Sequence, residues 1–404
     1  MKRLYQLGIA LLIFLIPSNL FYVLTEAQSR VHGLQIDYLL PKIHSSDFVI
    51  VTLIVLWLSE KKWLSYGAKI RRSRLLQGVL VLGSILLIRQ YFTAYPLIAL
   101  WTSFNLLKMA LLAYVLWQKR TILTSSFSYT IIAITVLFQS LVAFWQWFTQ
   151  SSVAGYWFLG ETNVSSYAGL AKTTLGGIDR VLPYGTTAHP NVLAGFVAVS
   201  CIILLFRKKK ASRHTNYLLT TALVVGCATV LLTQSISAIL ALLIGAAIYF
   251  FPEFFKKISK SWMLSGILLF WLLSIFLPVK SENTSLIRRQ YLNRGAVHMV
   301  VDHTLFGVGV QQFTTQIESY STNREVVRFV QPAHNVPLLF LVETGILGVL
   351  FLWLVTRTFR KKTHLTTSFL ILVPLLFLDH YLLTLQTGLL TALLFALYSR
   401  EISP

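Results

Sequence analysis

A histidine and an asparagine stand at the start of a long apolar stretch near the C-terminal end of the chain. The stretch AHNVPLLFLVETGILGVLFL covers residues 333–352, with His334 and Asn335 at its mouth and one carboxylate, Glu343, further in. A neutral imidazole can take a proton from a reacting hydroxyl group. The segment therefore predicts either a catalytic base at the end of a membrane span, or an interfacial histidine that makes one backbone hydrogen bond.

Helical geometry separates the remaining polar and small residues of this stretch. At about 100° per residue, Leu341, Gly345 and Gly348 fall within about 40° of His334. Small residues on that side allow another helix to approach closely, so the two glycines are expected to be packing positions. Glu343 falls on the opposite side, about 13 Å deeper. A carboxylate facing lipid there costs at least about 2 kcal/mol, so Glu343 is expected to face the bundle interior.

Three arginines occur upstream on a segment with helical periodicity. Apolar residues recur at helical spacing over 285–301, which predicts an amphipathic helix lying on or just above the bilayer. Arg288, Arg289 and Arg294 project from its polar side. Guanidinium groups bind phosphate through two parallel hydrogen bonds. The helix therefore predicts a phosphate-binding site, or a basic face that contacts lipid phosphates.

A second polar group precedes another apolar stretch. His189, Pro190 and Asn191 lead directly into it, and Arg180 lies a few residues upstream. Proline is tolerated at a helix start, and the free N–H groups there can bind an anion. A capped helix with an interfacial histidine is the alternative reading.

The composition indicates a membrane protein. Of 404 residues, 55% are hydrophobic and 12% are charged, whereas a soluble domain carries about 25% charged residues. We predict an all-α, polytopic fold that forms one membrane domain over residues 1–404, with about twelve transmembrane helices. The basic, apolar N-terminal stretch is interpreted as the first of them rather than as a cleaved signal peptide. The predicted spans are 4–24, 44–59, 75–92, 95–117, 128–149, 190–206, 216–233, 235–251, 262–279, 334–356, 365–379 and 381–398.

Charge distribution predicts the orientation. Alternate connections are short and rich in Lys and Arg, as at 60–74, 207–214 and 357–364, which is typical of cytoplasmic loops. Both termini are then cytoplasmic, and the two long loops, 150–189 and 280–333, lie on the outer face. We expect short amphipathic helices in both. The net charge of +21 then reflects contact with anionic membrane lipids rather than nucleic acid.

Two absences narrow the chemistry. The sequence has no P-loop and no glycine-rich nucleotide fingerprint, which argues against a cytoplasmic nucleotide substrate. Neither long loop has a D-x-D pair or a cluster of acids that would hold a divalent metal on phosphate. We therefore expect no metal and no cofactor.

Several motifs together resemble the O-antigen ligase and polymerase superfamily of bacterial envelope enzymes. His334-Asn335, nine residues and then Gly345-x-x-Gly348 fit that family's H-[NSQ]-x9-G-x-x-[GTY] pattern. TTAHPNVLAGF (186–196) looks like its His-Pro-Asn segment, and RRQYLNRGAVHMVVDHTLFGVGVQQF (288–313) is similar to its second-loop helix and turn. LDHYLLTLQTGLL (378–390) resembles its late Asp-x-Tyr…Gln segment.

The resemblance implies a metal-independent, inverting glycosyltransferase in the bacterial cytoplasmic membrane, with its active site on the outer face. Such enzymes move a glycan from an undecaprenyl-pyrophosphate carrier to an acceptor hydroxyl on a glycan, a lipid or a protein. By resemblance His334 is the catalytic residue. The implied substrate-binding and pyrophosphate-binding residues are Arg180, His189, Asn191, Arg288, Arg289 and Asn335.

One departure from the family pattern concerns a phosphate contact. Members carry Ser-Arg-Gly where this chain has TQSISAIL, with Ile236 at the arginine's place; Arg180 is the candidate replacement. The sequence also leaves alternatives open. A polymerase would join two carrier-linked repeat units, and a transporter or flippase would move a lipid-linked glycan without reaction. A transporter would favour broken helices and internal repeats, and the two halves of the chain show no clear repeat.

Overall fold

A computed structural model describes residues 1–60, 73–166, 169–208, 213–277, 284–359 and 367–402. Helices dominate these ranges, which confirms the helical fold class. The longer helices are α1 Lys2–Leu15, α2 Ser45–Ser59, α3 Arg74–Gln90, α4 Pro96–Gln118, α5 Ser126–Thr149, α6 Pro190–Lys208, α7 Arg213–Leu232, α8 Ile236–Phe250, α9 Lys260–Phe276, α10 Thr284–Asp302, α11 Val336–Phe359 and α12 Gln386–Tyr398. Shorter helices are Arg120–Leu123, Pro252–Lys257, Phe313–Gln316, Arg324–Arg328, Val373–Phe377 and Tyr381–Thr384. Turns of 3₁₀ helix occupy Asp37–Leu39, Val164–Ser166, Ile317–Ser319 and Thr367–Ile371.

Several helices are long and apolar enough to cross a bilayer. Among the described residues, five meet that criterion: Pro96–Gln118, Ser126–Thr149, Pro190–Arg207, Thr215–Leu232 and Val336–Thr358. Four shorter apolar helices are Ser45–Ser59, Ile236–Phe250, Lys260–Phe276 and Gln386–Tyr398. The chain is thus a multi-pass membrane protein, while the number twelve and the orientation stay predictions.

Three of the predicted spans have the wrong bounds. The span predicted over 4–24 ends as a helix at Leu15, because Pro17 has no N–H to continue the hydrogen-bond ladder. The spans predicted over 365–379 and 381–398 are divided into short pieces, leaving α12 with 13 residues, about 20 Å long. The polar pair Asp379-His380 lies between those pieces. The basic connections at 60–74, 207–214 and 357–364 lie largely outside the described residues.

Helix α6 lies at the centre of the larger core. It packs against α5, α7, α8 and α12, and Leu193, Phe196 and Val197 on it are fully buried. Glycines on its neighbours allow the close approach. A Cβ on Gly226 of α7 would stand 2.5 Å from Cys201 Sγ, and one on Gly245 of α8 would stand 2.7 Å from Ile202. The helix that follows His189 and carries Asn191 is therefore held by four other helices.

A second core joins α10 to α11. Leu292, Ala296 and Met299 of α10 are buried in the same cluster as Leu339 and Val342 of α11. A helix does occupy 285–301, as α10, while its position at the bilayer surface stays a prediction. Its packing brings the arginine-bearing first turns of α10 towards the start of α11, where His334 lies.

Two of the long connections between helices contain hairpins. The short strands are β1 Phe21–Val23, β2 Arg30–Val31, β3 Leu34–Gln35, β4 Lys42–His44, β5 Lys172–Leu175 and β6 Ile178–Val181. They pair antiparallel as β1–β4, β2–β3 and β5–β6. The expectation of amphipathic helices in the loop 150–189 is wrong for its described part, which holds the β5–β6 hairpin and one 3₁₀ turn. Gly176 and Gly177, both with positive φ, suit a two-residue hairpin turn.

Helix α11 is broken at Gly345, where φ is 61° and ψ is −166°. The segment 304–309 fills the break with its own backbone. Four N–H groups donate across it: Val308 to Val342 O (2.9 Å), Gly309 to Glu343 O (3.0 Å), Ile346 to Thr304 O (2.8 Å) and Leu347 to Leu305 O (3.2 Å). Backbone groups freed inside an apolar region must find such partners. The second long loop is thereby fastened to the helix that follows His334.

This geometry revises the roles expected for the two glycines and supports that of Glu343. A Cβ on Gly345 would stand 2.4 Å from Leu305 O, so loop backbone rather than another helix occupies the space beside it. A Cβ on Gly348 would meet Thr344 Oγ1 of its own helix at 2.0 Å. The expectation of helix–helix packing is wrong at Gly345, and at Gly348 it stays a prediction. Glu343 is buried and accepts a hydrogen bond from the Tyr38 hydroxyl, which confirms its place in the bundle interior.

We expect Gly345→Ala to lower the stability of the fold markedly. Alanine at a positive φ costs about 1–3 kcal/mol, and its methyl group would collide with the Leu305 carbonyl. Thermal unfolding of the purified protein in detergent should show a fall of several degrees. Gly266→Ala in α9 is the control, because nothing lies within 4 Å of its added Cβ; it should not lower the unfolding temperature. Equal melting of both variants would contradict the role given to the break.

Candidate functional site

Four separate segments meet at one end of the core. They are the start of α6, the first turns of α10, the residues before α11 and the turn between Val373–Phe377 and Tyr381–Thr384. The side chains that they bring together are His189, Asn191, Arg288, Arg289, His334, Asp379 and His380.

Asp379 fastens the start of α6 to the turn 378–380. Its carboxylate is 5% exposed. Oδ2 accepts a hydrogen bond of 2.8 Å from Asn191 Nδ2, and Oδ1 accepts one of 2.8 Å from the His380 backbone N–H. Arg289 Nη1 donates to Leu378 O at 3.3 Å. The turn thus joins the α6 segment to the arginines of α10.

Two histidines stand ring against ring in this cluster. The centroids of His334 and His380 are 4.7 Å apart and their planes make an angle of 84°. His380 Nδ1 lies 2.7 Å from Thr384 Oγ1, which fixes the orientation of that ring. His334 Nδ1 is buried and has no hydrogen-bond partner in the described part of the chain. This nitrogen therefore has unused hydrogen-bonding capacity inside the cluster.

Burial and positive charge keep these imidazoles neutral. Burial, followed by the charges of Arg289 and Arg288 among others, holds the pKa of His334 well below its usual value. Burial also lowers the pKa of His380 to about 4, although the charge of Asp379 acts in the opposite direction. A neutral imidazole has a free lone pair, so His334 can accept a proton at physiological pH.

His189 faces the same cluster from the start of α6. Its ring is exposed, and Nδ1 accepts a hydrogen bond of 3.2 Å from the Asn191 backbone N–H. The ring also packs edge-on against Tyr184, with centroids 6.0 Å apart. Both residues predicted in this segment therefore lie in the cluster. His189 is on its exposed side, and Asn191 is hydrogen-bonded to Asp379.

Asn335 is fully buried and bonded to the protein itself. Its Oδ1 accepts hydrogen bonds from Trp271 Nε1 (2.9 Å) and from the Leu338 backbone N–H (3.1 Å), and its Nδ2 donates to Ser274 Oγ (2.9 Å). These bonds cap α11 and tie it to α9, which holds His334 in position. A contact between Asn335 and substrate stays a prediction.

Arg180 lies apart from the histidine cluster. It is on β6, where Nη1 donates to Trp147 O at 3.3 Å and the guanidinium lies 5.8 Å from the Trp147 ring centroid. The charges acting on His334 come instead from Arg289, His380, His189 and Arg288. Ile236, at the start of α8, is 67% exposed. The structure thus offers no described contact by which Arg180 replaces the family's arginine beside His334.

Asp379 and His380 received no role from the sequence, although their segment was noted for its resemblance. The signal was present: two ionisable residues inside an otherwise apolar run, a pattern that marks functional sites in membrane proteins. His380 also lies four residues before Thr384, the spacing of neighbours on a helix face.

The cluster also contains atoms of the kind that bind metal ions. One donor atom from each of His334, Asp379 and His380 lies within 4.8 Å of the others, close enough to hold a cation. Both Asp379 oxygens already accept hydrogen bonds, however, and the guanidinium groups of Arg288 and Arg289 disfavour added positive charge. The arrangement suits an anion beside a proton acceptor better than it suits a divalent metal.

We expect Asn335→Ala to destabilise the protein by about 1–3 kcal/mol, because the half-buried Trp271 Nε1–H loses its acceptor and Ser274 Oγ loses a donor. The unfolding temperature in detergent is the measurement. Thr322→Ala, at an exposed loop position, serves as the control and should melt like the wild type. A wild-type unfolding temperature for Asn335→Ala would contradict its structural role.

Comparison with known families gives an independent result. Residues 221–354 match the family model described as O-antigen ligase. The matched range includes α10, the helix break and Arg288, Arg289, His334 and Asn335, and it ends before Asp379. The match confirms the resemblance to the O-antigen ligase and polymerase superfamily. No curated protein matches the chain.

Proposed function

We propose that this protein, whose residues 221–354 match the O-antigen ligase model, is a membrane glycosyltransferase. It would take a glycan from an undecaprenyl-pyrophosphate carrier and join it to an acceptor hydroxyl on the outer face of the bacterial cytoplasmic membrane. The observation that carries the proposal is the buried Nδ1 of His334, which has no hydrogen-bond partner among the described residues and belongs to a cluster with Arg288 and Arg289. A proton acceptor beside two guanidinium groups is what displacement of a pyrophosphate by a hydroxyl requires.

His334 would act as the general base. The acceptor hydroxyl has a high pKa, and its proton passes to the neutral imidazole as its oxygen bonds to the anomeric carbon of the glycan. The bond from that carbon to the pyrophosphate oxygen breaks in the same displacement. A single displacement inverts the configuration at that carbon.

Arg288 and Arg289 would stabilise the leaving group. Negative charge builds on the pyrophosphate oxygen as its bond to the sugar breaks, and preorganised cations in a low-dielectric site lower the barrier. Arg289 is anchored through Nη1 to Leu378 O, and Arg288 lies 4.3 Å from the Phe329 ring centroid. These contacts keep both side chains in place before substrate binds. The same chemistry needs no metal and no nucleotide.

Asp379, Asn191 and His380 would position the base. The Asp379 carboxylate joins the turn 378–380 to the start of α6, and the His380 ring supports that of His334. None of them needs to exchange a proton with substrate for this task.

Ligase and polymerase share this chemistry and differ in the acceptor, which is a lipid, protein or other glycan for one and a second carrier-linked unit for the other. One observation favours a transporter instead, namely the break in α11 at Gly345, since transporters use broken helices. That break is closed by backbone bonds from residues 304–309. It therefore serves packing, and glycan transfer is the better supported function.

We expect His334→Ala to slow glycan transfer at least about 100-fold, the range lost with a general base. Arg289→Gln should cost about 100-fold, as for the loss of a charge-stabilising donor. Arg294→Gln on the same helix is the matched control, because Arg294 is exposed on α10; its rate should stay within about threefold. The assay is transfer from an undecaprenyl-pyrophosphate oligosaccharide to acceptors extracted from the producing membranes, in detergent and with EDTA present.

Full transfer by His334→Ala would remove that residue from the reaction. Loss of wild-type transfer on adding EDTA would show that a metal takes part. A transporter moves its substrate across a membrane without changing it, so it would form no product in detergent. Absence of any transfer product from the wild-type protein would therefore favour transport over catalysis.

The rate of transfer should change little between about pH 6 and pH 8, because a His334 pKa well below its usual value, about 6.5, leaves the imidazole neutral throughout. The rate should fall only under more acidic conditions, as the ring takes up a proton. Removing the positive charge of Arg289 raises the His334 pKa, so the acid limb of Arg289→Gln should move to higher pH. Identical acid limbs in the pH profiles of variant and wild type would contradict this electrostatic coupling.

A further inference from the structure

The ring of Phe329 lies against two guanidinium groups. The Cζ atom of Arg288 is 4.3 Å from the ring centroid, and the Cζ atom of Arg328 is 5.5 Å from it. A cation is attracted to an aromatic ring when it lies within about 6 Å of the centroid. Arg288 belongs to the first turns of α10, whereas Arg328 is the last residue of the short helix Arg324–Arg328. A third arginine therefore lies next to the pair proposed to stabilise the leaving group.

Two buried valines hold the segment with Arg328 on the protein. Val326 and Val330 are buried in the core that joins α10 to α11, and the short helix packs on α10. Arg328 and Phe329, which lie between these valines in the chain, are exposed. The backbone of the two residues is thus fixed before a ligand binds, which reduces the entropy lost on binding.

The positive charge of Arg328 is free to act on a ligand. Among the residues that the structure describes, no carboxylate forms an ion pair with its guanidinium. Two positive charges beside one ring repel each other, and an anion that contacts both offsets that repulsion. Guanidinium groups bind phosphate oxygens through two parallel hydrogen bonds. The chemical class of ligand that suits this pair of arginines is therefore a phosphate ester.

Arg328 lies farther from the proposed base than the other two arginines. Burial lowers the pKa of His334 most, and the charges that lower it further include those of Arg289 and Arg288. Arg328 is not among those charges, as expected for a guanidinium that is more distant and exposed to solvent. The three arginines thus form a series that leads away from His334, which is the arrangement that a ligand with two successive phosphates requires.

We propose that Arg328 binds the second phosphate of the donor, the one bonded to the lipid carrier, while Arg288 and Arg289 bind the phosphate bonded to the sugar. The inference rests on the proposed function. The reaction breaks the bond between the anomeric carbon and an oxygen of the sugar-linked phosphate, so new charge builds beside Arg288 and Arg289. The charge on the carrier-linked phosphate changes little. Arg328 therefore contributes to donor binding about equally before and during the reaction, and Phe329 holds its guanidinium beside that of Arg288.

The test is calorimetric titration of the full-length protein in detergent with inorganic pyrophosphate and, separately, with inorganic phosphate, in the presence of EDTA. Arg328→Gln should weaken pyrophosphate binding about tenfold, as for the loss of a charged hydrogen-bond partner. It should change phosphate binding less than about twofold, because a single phosphate is held by Arg288 and Arg289. Arg324→Gln is the matched control, because Arg324 begins the same short helix and is exposed; it should leave both affinities within about twofold.

Steady-state kinetics of glycan transfer give a second measurement. Arg328→Gln should raise KM for the undecaprenyl-pyrophosphate donor about tenfold and leave kcat within about twofold, because a contact made equally in the ground state and the transition state affects binding alone. Arg289→Gln should instead lower kcat. The unfolding temperature of Arg328→Gln should equal that of the wild type, since the side chain is exposed.

Wild-type pyrophosphate affinity in Arg328→Gln would overturn the proposal. So would an equal loss of phosphate and pyrophosphate binding, since Arg328 would then share the phosphate held by Arg288. Unchanged pyrophosphate binding together with the loss of a phospholipid that co-purifies with the wild type would assign Arg328 to the surrounding bilayer instead, and would also overturn it. Absence of transfer by the wild-type protein would contradict the proposed function itself, whereas normal transfer with a donor KM that does not depend on Arg328 would contradict this inference alone.

Discussion

The exchange of backbone hydrogen bonds between residues 304–309 and the break in α11 is the constraint on which the site depends. A helix interrupted in an apolar region leaves N–H and C=O groups without partners, and each costs several kcal/mol unless another backbone supplies them. The segment 304–309 supplies them and is thereby fixed in depth and register. Because it directly follows α10, the same bonds hold the arginines of α10 at the level of His334. Backbone hydrogen bonds thus align Arg288 and Arg289 with His334. The alignment does not rely on a direct contact between the arginines and the histidine.

Electrostatics complete the arrangement. Burial disfavours charge on the histidines, and the two arginines disfavour it further, so the cluster keeps a neutral base beside fixed positive charge. Asp379 is the carboxylate of the cluster, and both of its oxygens are occupied by Asn191 and by the backbone of His380. It therefore acts as a fixed hydrogen-bond acceptor, and its negative charge stays at one place in the cluster. A loosely held carboxylate would form an ion pair with Arg289 and weaken its hold on phosphate.

Local patterns in the sequence are sufficient to predict some helices and some buried positions, but not the helix break or the whole candidate site. Helix α10 follows from apolar periodicity within one segment, and the inward position of Glu343 follows from the cost of a carboxylate in lipid. The break at Gly345 could not be predicted in the same way, because ETGILG is compatible with a continuous helix. Its conformation is decided by hydrogen bonds to a segment about 40 residues earlier, and period-based reasoning does not see such pairing. Asp379 and His380 escape prediction for a related reason. The apolar run 365–398 is interpreted as two spans joined by a turn, and the candidate site lies in that turn.

The ion pair between Lys108 and Asp47 has a consequence for how the protein is made. Asp47 is at the start of α2 and Lys108 is in the middle of α4, and each side chain is 9% exposed. At the centre of a membrane helix a Lys opposes insertion by about 2.5–3.5 kcal/mol, and pairing with the Asp47 carboxylate near the N-terminal end of α2 offsets part of that cost. The two helices are therefore expected to leave the translocation machinery as a pair during synthesis. This part of the bundle would then be assembled while the segment with His334 has yet to be translated.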